Sequence, residues 1–374
     1  MENSAATPKI LFVHLYSNGD CLYATAIARQ IKNDYSNAIL TWAVAGFCKE
    51  IIKNNPYVDN MLVVDDVLKN DVNAFRKFKK KIIAEERAGK WDKVFITHNM
   101  DTNLALYDGT IRGMILRAYP TKVTIPLQPI LQLTKTELDN VAFFANKNKL
   151  SSYKNVILWE YAPLSGQVAL NFDMVMAVAK RITAQPSTCV ILSSANKFTS
   201  TATIIDASVL KVRENAALTH YCTLLIGCSS GITWLTTSSA AKFLPMVQLL
   251  NAKAAFRNLP SIDFKRYSIE HNGLIELFSF GEEKVFSCLQ QILTQGFSSA
   301  INYNENPPQQ FNTTQNIIYN LFVYGEFGAI KKHLKIMKSM YGLSSGLLKA
   351  ILVGFISIPF KLIRNIWKKK VVKA

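Results

Sequence analysis

Short apolar runs alternate with longer segments of helical spacing along the first 130 residues. The apolar runs do not alternate with polar residues, so each is expected to be covered on both faces, as in a parallel sheet flanked by helices. The predicted strands are Ile10–Leu15, Ile39–Val44, Met61–Val64, Val94–Thr97 and Val123–Ile125. The predicted helices between them are Leu22–Asn33, Cys48–Asn54, Val72–Ala88 and Thr110–Ala118.

The same alternation of apolar runs and helical segments begins again after a more polar helical stretch, Lys135–Lys149. It predicts a second parallel α/β unit, which places a domain boundary near Ser151. Its predicted strands are Asn155–Glu160, Thr188–Ser193, Thr203–Asp206, Thr223–Cys228 and Leu244–Leu250. Its predicted helices are Asn171–Ile182, Val212–Tyr221, Ile232–Ala241 and Phe280–Leu293.

Four segments follow from this pattern. Residues 1–150 and 151–298 form two Rossmann-like domains, and the Pro/Asn-rich stretch within 299–330 is a linker followed by a helix. Residues 331–374 form a C-terminal tail of different composition. Two doubly wound domains favour a ligand between them, outside the carboxyl ends of the strands.

Charge and cysteine content narrow the class of protein. The chain has 374 residues and a net charge of +17, and residues 331–374 hold eleven Lys or Arg and no Asp or Glu. The basic character therefore belongs mainly to the tail. The six cysteines lie in apolar surroundings without metal or disulfide spacing, which indicates reduced core cysteines and a cytosolic setting. We see no signal peptide pattern.

The tail contains an apolar segment with basic residues on one side. On a helical wheel Lys349, Ser357 and Lys361 share an arc with Arg364, Asn365 and Lys368. The opposite side is apolar and includes Leu348, Leu352, Phe355, Ile356 and Ile363. This pattern favours a helix lying on an anionic membrane surface, with a membrane-entering segment and a helix packed on protein as the alternatives.

The first candidate for chemistry is the turn Ser17–Asp20, called the first turn below. It ends the first predicted strand and begins a helix, and Gly19 permits a tight approach. Asp20 is expected to be either a helix N-cap or a general base that faces the interdomain gap.

The second candidate is the run Ser229–Thr233, called the donor loop below. Its small residues, Ser229, Ser230 and Gly231, leave room for a diphosphate beside a helix start, with Thr233 close by. A Ser-capped helix without a ligand is the alternative.

Several common site types have no sequence pattern here. There is no GxGxxG after the first strand, no P-loop motif, no Asp-x-Asp and no metal-spaced His or Cys cluster. A dinucleotide oxidoreductase is thus poorly supported, and we expect no metal or other cofactor. Of the scattered histidines, His14 is expected in the core, whereas His98 ends a strand and is a candidate for the cleft.

Residues Lys9–Asp66 resemble the opening of the heptosyltransferase-type glycosyltransferases, family 9. The shared features are a strand, a Ser-x-Gly-Asp turn, a helix, a second strand and Asn55-Pro56-Tyr57-Val58-Asp59 before a third. Residues Glu214–Pro245 are similar more loosely. The family's second loop reads Asp-Thr-Gly-x-x-His, whereas this chain has Ser229 and Trp234 in place of the Asp and the His.

The resemblance covers roughly residues 8–295 and implies a GT-B fold, in which two Rossmann-like domains face each other across a cleft. It implies that Asp20 is the catalytic base and that acceptor contacts come mainly from the first domain, where Asn18, Gly19 and His98 are the candidates. Donor phosphates would be held by the second domain. The residues expected there are Ser165, Gly166, Lys197, Ser229, Ser230, Gly231 and Thr233. The alternative for Lys197 is a solvated surface lysine without a role in the site.

The expected activity is inverting, metal-independent transfer of a sugar from a nucleotide-diphosphate donor. The tail favours a lipid-linked acceptor, such as lipopolysaccharide core, O-antigen or a related cell-envelope glycan, at the cytoplasmic face of the plasma membrane. The alternatives are an inactive nucleotide-binding GT-B scaffold and a basic nucleic-acid-binding protein. The second is disfavoured because aliphatic rather than aromatic residues interleave the basic ones.

Overall fold

The computed structural model describes residues 7–163, 168–252, 259–307 and 309–371, with side chains up to residue 363 in the last helix. In the described part, two separate parallel sheets are each flanked by helices. This confirms the predicted α/β class and the two-sheet architecture.

The first sheet has four parallel strands in the order β3-β2-β1-β4. Its central strand β1 is buried from Ile10 to Val13, as an unalternated apolar run requires. The strands are β1 (Lys9–Val13), β2 (Ile39–Val44), β3 (Asn60–Val63) and β4 (Lys93–Ile96). The helices are α1 (Asn18–Asp34), α2 (Lys49–Ile52), α3 (Val72–Arg87), α4 (Ile111–Ala118) and α5 (Lys135–Lys147).

The predicted strand Val123–Ile125 is wrong. The backbone N–H groups of Thr124 and Ile125 donate to the Gln30 side-chain oxygen in α1, at 2.8 and 3.2 Å. A buried glutamine thus satisfies donors that a neighbouring strand would otherwise bind, and the segment runs along α1 as irregular chain.

The second sheet has six parallel strands in the order β10-β9-β8-β5-β6-β7. They are β5 (Asn155–Glu160), β6 (Thr188–Ser193), β7 (Ile204–Asp206), β8 (Leu224–Gly227), β9 (Met246–Leu249) and β10 (Leu274–Leu277). The helices are α6 (Phe172–Thr183), α7 (Glu214–Leu218), α8 (Gly231–Leu235), α9 (Pro260–Tyr267) and α10 (Glu282–Gln295). Strand β10 was not predicted, because the charged Glu276 interrupts its short apolar run.

The predicted boundary near Ser151 falls in a 3₁₀ turn, Leu150–Ser152, between α5 and β5. The two sheets nevertheless share one apolar core, which runs from β1 and β2 through α1 and α5 to β5 and β6. The four-segment division of the chain stays a prediction.

Two buried arginines tie the two sheet units together. Arg112 in α4 pairs with Asp263 in α9 at 2.8 Å, and both side chains are 2% exposed. Arg213, just before α7, binds Glu137 at 2.7 Å and donates to the carbonyl oxygen of Gln132. Charges this deeply buried stabilise a structure only when both partners stay in place.

Three helices follow the second sheet and pack on the first unit: α11 (Asn312–Val323), α12 (Phe327–Tyr341) and α13 (Ser345–Val371). The Tyr341 hydroxyl at the end of α12 donates to the Asp108 carbonyl at 3.0 Å and accepts from Arg266 in α9 at 3.2 Å. The C-terminal helices therefore contact both sheet units at one point.

Replacing Arg112 by Ala is expected to lower the free energy of unfolding by about 3–5 kcal/mol, because it leaves the Asp263 carboxylate buried without its cation. Urea denaturation followed by circular dichroism measures this change. The control is Lys135→Ala, which breaks an exposed pair with Asp139 and should cost at most about 0.5 kcal/mol. Equal small effects of both substitutions would contradict the role given to Arg112.

Candidate functional site

The first turn lies where β1 ends and α1 begins. Ser17 occupies the N-cap position of α1, and Asp20 is the third residue of the helix, in its first turn. Asp20 is therefore not the N-cap itself, although its carboxylate accepts a hydrogen bond from the Ser17 backbone and so helps to satisfy the start of the helix. Its Oδ2 accepts a hydrogen bond from the Asn99 side-chain nitrogen at 2.9 Å.

Burial raises the pKa of Asp20 from 3.8 to about 6, although the Asn99 hydrogen bond, a Ser17 backbone bond and the Lys69 charge each favour the ionised form. A carboxylate with a pKa near 6 is largely ionised at neutral pH and still accepts a proton readily. These are the properties that a general base requires.

Asn99 is a site residue that the sequence reasoning missed. It follows β4 in the neighbouring strand, one residue after His98, and its amide orients the Asp20 carboxylate. The amide oxygens of Asn99 and Asn18 are both buried without a hydrogen-bond partner in the structure. The polar run after β4 was visible in the sequence, but only tertiary structure shows which of its side chains reaches Asp20.

His98 lies beneath this site and is 3% exposed. Its ring packs edge-on against Phe75, with centroids 4.9 Å apart, and against His14 at 5.6 Å. Burial, with His14 adding to it, holds the pKa of His98 well below 6.5, so the ring is neutral at physiological pH. The structure thus places His98 in the apolar layer under the first turn rather than in the cleft. His14, expected in the core, is fully buried.

The donor loop follows β8 in the second sheet. Ser229 has a left-handed backbone conformation with φ of 51°, and α8 starts at Gly231 and extends for five residues only. The predicted helix Ile232–Ala241 is therefore too long, because the chain leaves the helix after Leu235.

Two buried polar side chains from neighbouring strands hold the donor loop. Gln248 in β9 accepts from the Ser229 backbone N–H at 2.8 Å and from the Thr233 hydroxyl at 3.3 Å. Glu160, the last residue of β5, accepts from the Ser230 hydroxyl and lies 3.5 Å from that of Thr233. The hydroxyls of Ser230 and Thr233, predicted to face a phosphate, are thus directed inward in this structure.

Glu160 is the second site residue that the sequence reasoning missed. It is 3% exposed, and burial raises its pKa from 4.5 to about 7, although hydrogen bonds from Ser230, Cys228 and Thr233 favour the ionised form. The sequence carried the same signal as for Asp20, an acidic residue that ends an apolar strand.

The first turn and the donor loop meet. A Cβ atom added to Gly19 would lie 3.5 Å from Trp234 Cδ1 and 4.0 Å from Gly231 Cα, and one added to Gly231 would lie 3.9 Å from Asn18 Cβ. The carboxyl ends of the two sheets therefore face each other here, and glycine on both sides keeps the backbones close.

Trp234 fills the position where the resembling family has a histidine. Its ring packs edge-on against Tyr23 of α1, with centroids 5.1 Å apart, and the Arg112 guanidinium lies 4.1 Å from the Tyr23 ring centroid. Trp234 thus forms an aromatic contact between the two sheet units.

The remaining predicted site residues are Lys197, Ser165 and Gly166. Lys197 is exposed on the segment after β6. Ser165 and Gly166 lie outside the described residues, so their proposed contact with phosphate stays a prediction. Among the residues that the structure describes, no three His, Cys, Asp or Glu side chains cluster in a way that would hold a metal ion.

We compared the chain with known proteins. No family model matches, and no curated protein matches. Among solved structures, the chain is similar to a glycosyl transferase family 9 protein from Veillonella parvula, with 13% identity and a TM-score of 0.52, covering 89% of this chain and 98% of that one. The E. coli heptosyltransferase WaaC with ADP matches at 14% identity and a TM-score of 0.42, covering 78% and 99%.

The similarity to the Veillonella structure extends over nearly the whole of both chains. The fold is therefore that of a GT-B glycosyltransferase structure, as the resemblance implied. At this level of identity the likeness concerns the fold, and function must be argued from the site.

Replacing Asp20 by Asn is expected to raise the melting temperature at pH 7, because it removes a carboxylate that is ionised in a poorly hydrated position. The native pKa of about 6 lies above the unfolded value of 3.8, so the carboxyl costs stability above about pH 6 and the gain should vanish by about pH 4. Thermal melts at several pH values measure this. Asp139→Asn, at an exposed carboxylate in α5, is the control, and destabilisation by Asp20→Asn at pH 7 would contradict the prediction.

Proposed function

We propose that this chain is an inverting glycosyltransferase that uses Asp20 as its general base. The observation that carries the proposal is the position of this carboxyl. It has a pKa of about 6 and lies where the carboxyl ends of two parallel sheets meet, beside two amide oxygens without partners. Unpartnered buried acceptors of this kind call for a ligand that donates hydrogen bonds, and a sugar hydroxyl is such a donor.

In the proposed reaction, Asp20 accepts the proton of an acceptor hydroxyl while that oxygen forms a bond to the anomeric carbon of the donor sugar. The bond from the anomeric carbon to the phosphate oxygen breaks on the opposite face, and its electron pair leaves with the nucleoside diphosphate. Asn99 keeps the Asp20 carboxylate oriented through its 2.9 Å hydrogen bond. Such a base contributes a rate factor of about 10²–10⁴.

The donor diphosphate is proposed to bind on the donor loop, opposite Asp20. Gly231 supports this because it has no side chain to cover the loop backbone, and an added Cβ atom there would come within 4 Å of the Asn18 Cβ only. The proposed donor is a nucleotide sugar, a class to which the resemblance also points, and the proposed reaction requires no metal.

Replacing Asp20 by Asn or Ala should lower kcat by about 10²–10⁴-fold with little change in KM for the donor, since only the proton acceptor is lost. Transfer is measured with the nucleotide sugar that most raises the melting temperature of the wild-type chain. Asp139→Asn is the matched control, and EDTA should leave turnover unchanged. Full turnover of Asp20→Ala would refute the base assignment, and loss of activity in EDTA would refute the metal-free reaction.

The acceptor is proposed to be a lipid-linked glycan, with the chain held at the cytoplasmic face of the plasma membrane by its C-terminal helices. Support comes from the way α13 packs. Two of its contacts with α11 are small or polar: Gly354 approaches Ile318, and the Lys361 ammonium lies 3.4 Å from the Asn316 side-chain oxygen. The predicted polar arc is thus partly turned inward at Ser357 and Lys361.

Leu347 and Ile358 of α13 are buried, but most of its other large apolar residues face outward. Exposed fractions reach 60% for Leu352 and 70% for Phe360, and the other exposed apolar residues are Leu348, Val353, Phe355, Ile356, Leu362 and Ile363. Within the described residues, Ser345–Ile363 is the one helix long and apolar enough to cross a membrane, with a mean hydropathy of 1.9. An exposed apolar surface of this kind in a basic segment fits an anionic membrane.

The double replacement Leu352→Glu and Phe355→Glu should lower binding to phosphatidylglycerol-containing vesicles more than tenfold, because each side chain loses about 1.5–3 kcal/mol of burial. Flotation of the full chain with vesicles measures the binding. Phe143→Glu, at a phenylalanine of α5 that is 69% exposed, is the matched control and should bind normally. Unchanged vesicle binding would refute the proposal. A dimeric wild type that becomes monomeric on replacement would instead identify a second copy as the partner of this face.

A further inference from the structure

The side chain of Glu160 is a buried carboxyl group that the proposed reaction does not use. It ends β5, in the middle of the second sheet, and it is 3% exposed. Its oxygens receive hydrogen bonds from the hydroxyls of Ser230 and Thr233, so both are directed at residues of the donor loop. The residue therefore lies directly beneath the loop on which the donor is proposed to bind.

The groups that contact Glu160 are neutral. Ser230 and Thr233 come from the donor loop, the Cys228 thiol donates to the Glu160 backbone oxygen at 3.4 Å, and Ser193 lies opposite it in β6. The Cys228 thiol is titratable, but burial raises its pKa well above 9, so it stays neutral. A buried carboxylate held only by neutral donors is costly when ionised, and burial raises the pKa of Glu160 to about 7.

Among the described residues, no charged side chain forms a hydrogen bond or ion pair with Glu160. Lys197 follows β6 and is exposed, and Asp20 lies across the contact between the first turn and the donor loop. Two negative charges of a bound diphosphate would therefore add to the charge of an ionised Glu160. The buried cation on this side, Arg112, lies 5.8 Å from the Trp234 ring centroid and is already paired with Asp263. A like charge near a carboxyl disfavours its ionisation further.

We infer that Glu160 is a positioning residue for the donor loop, and that it must carry a proton when the diphosphate of a nucleotide sugar is bound there. The protonated carboxyl holds Ser230 and Thr233 in place without repelling the phosphates. When Glu160 ionises, its carboxylate and the diphosphate repel each other in a poorly hydrated region, and the donor binds less tightly. The inference rests on the proposed function and adds a pH-sensitive control of donor binding to it.

The test measures the dissociation constant of the full chain for UDP-glucose, ADP-glucose and GDP-mannose by titration calorimetry, from about pH 5.5 to about pH 8.5. Nucleotide sugars are suitable probes because their diphosphate has no proton to lose in this range. For wild type, the dissociation constant should rise above about pH 7, by up to about tenfold per pH unit, as Glu160 ionises.

Glu160→Gln mimics the protonated carboxyl and should abolish the rise of the dissociation constant above about pH 7, whereas a change near pH 6 reports the ionisation of Asp20. Ser230→Ala removes a hydrogen bond that favours the ionised form, so the pH dependence should remain and shift to higher pH. Glu276→Gln is the matched control. Glu276 is also a buried carboxyl of the second sheet, bound to Ser261 in α9 rather than to the donor loop, and this variant should keep the wild-type pH dependence.

The outcomes distinguish failure of the proposed function from failure of the role given to Glu160. Absence of binding by all three nucleotide sugars to the wild-type chain would refute the proposed function. A wild-type dissociation constant that does not rise above about pH 7, or a rise there that persists in a folded Glu160→Gln protein, would refute the role of Glu160 and leave the sugar-transfer proposal standing. If Glu160→Gln fails to fold, the Ser230→Ala variant provides the test. If the pH dependence of its dissociation constant is not shifted to higher pH, the inference is refuted.

Discussion

The contact between the start of α1 and the start of α8 is the constraint on which the rest of the site depends. Gly19 and Gly231 let two backbones from different sheets approach closely, and Trp234 closes the contact against Tyr23. Asp20 follows Gly19 at this contact, and burial raises its pKa to about 6. The buried Arg112–Asp263 pair joins the same two units nearby. The interface that stabilises the chain therefore also contains the Asp20 carboxyl, which is the proposed general base.

Much of the fold was predictable because local pattern and burial agree. Strand β2 and strand β5 run between the predicted residues, since each is a continuous apolar run bounded by polar residues. The errors arose where a distant side chain decided the local structure. Gln30 binds the backbone of Thr124 and Ile125 and so replaces a predicted strand, and no local pattern reports such a contact.

The site was predictable in part for the same reason. Asp20 stood out because a carboxylate at the end of a buried strand is unusual, but its partner Asn99 is 79 residues away. The inward direction of Ser230 and Thr233 depends on Glu160 and Gln248, which come from two other strands. Sequence spacing identified the loop, whereas the acceptors that turn its hydroxyls inward could be found only from the packed sheet.

Two carboxyls with raised pKa values now lie on the two sides of one contact, and their environments differ. Asp20 is held by an amide at the first turn, whereas Glu160 is held by hydroxyls beneath the donor loop. Such pairs commonly divide the work of a site between them. Asp20 is suited to accept a proton at neutral pH, whereas Glu160 is suited to keep one. An ionised Asp20 and a protonated Glu160 therefore occur together only in a limited pH range.

The most direct test of the central claim is the pH dependence of kcat/KM for sugar transfer by the wild-type chain, because its acid limb reports the pKa of the free enzyme's essential base. The account predicts that kcat/KM rises tenfold per pH unit and breaks near pH 6, the pKa of Asp20, and that this break remains in Glu160→Gln. A profile without an acid break near pH 6, or a break that disappears with Glu160 instead, would contradict the assignment of Asp20 as the base.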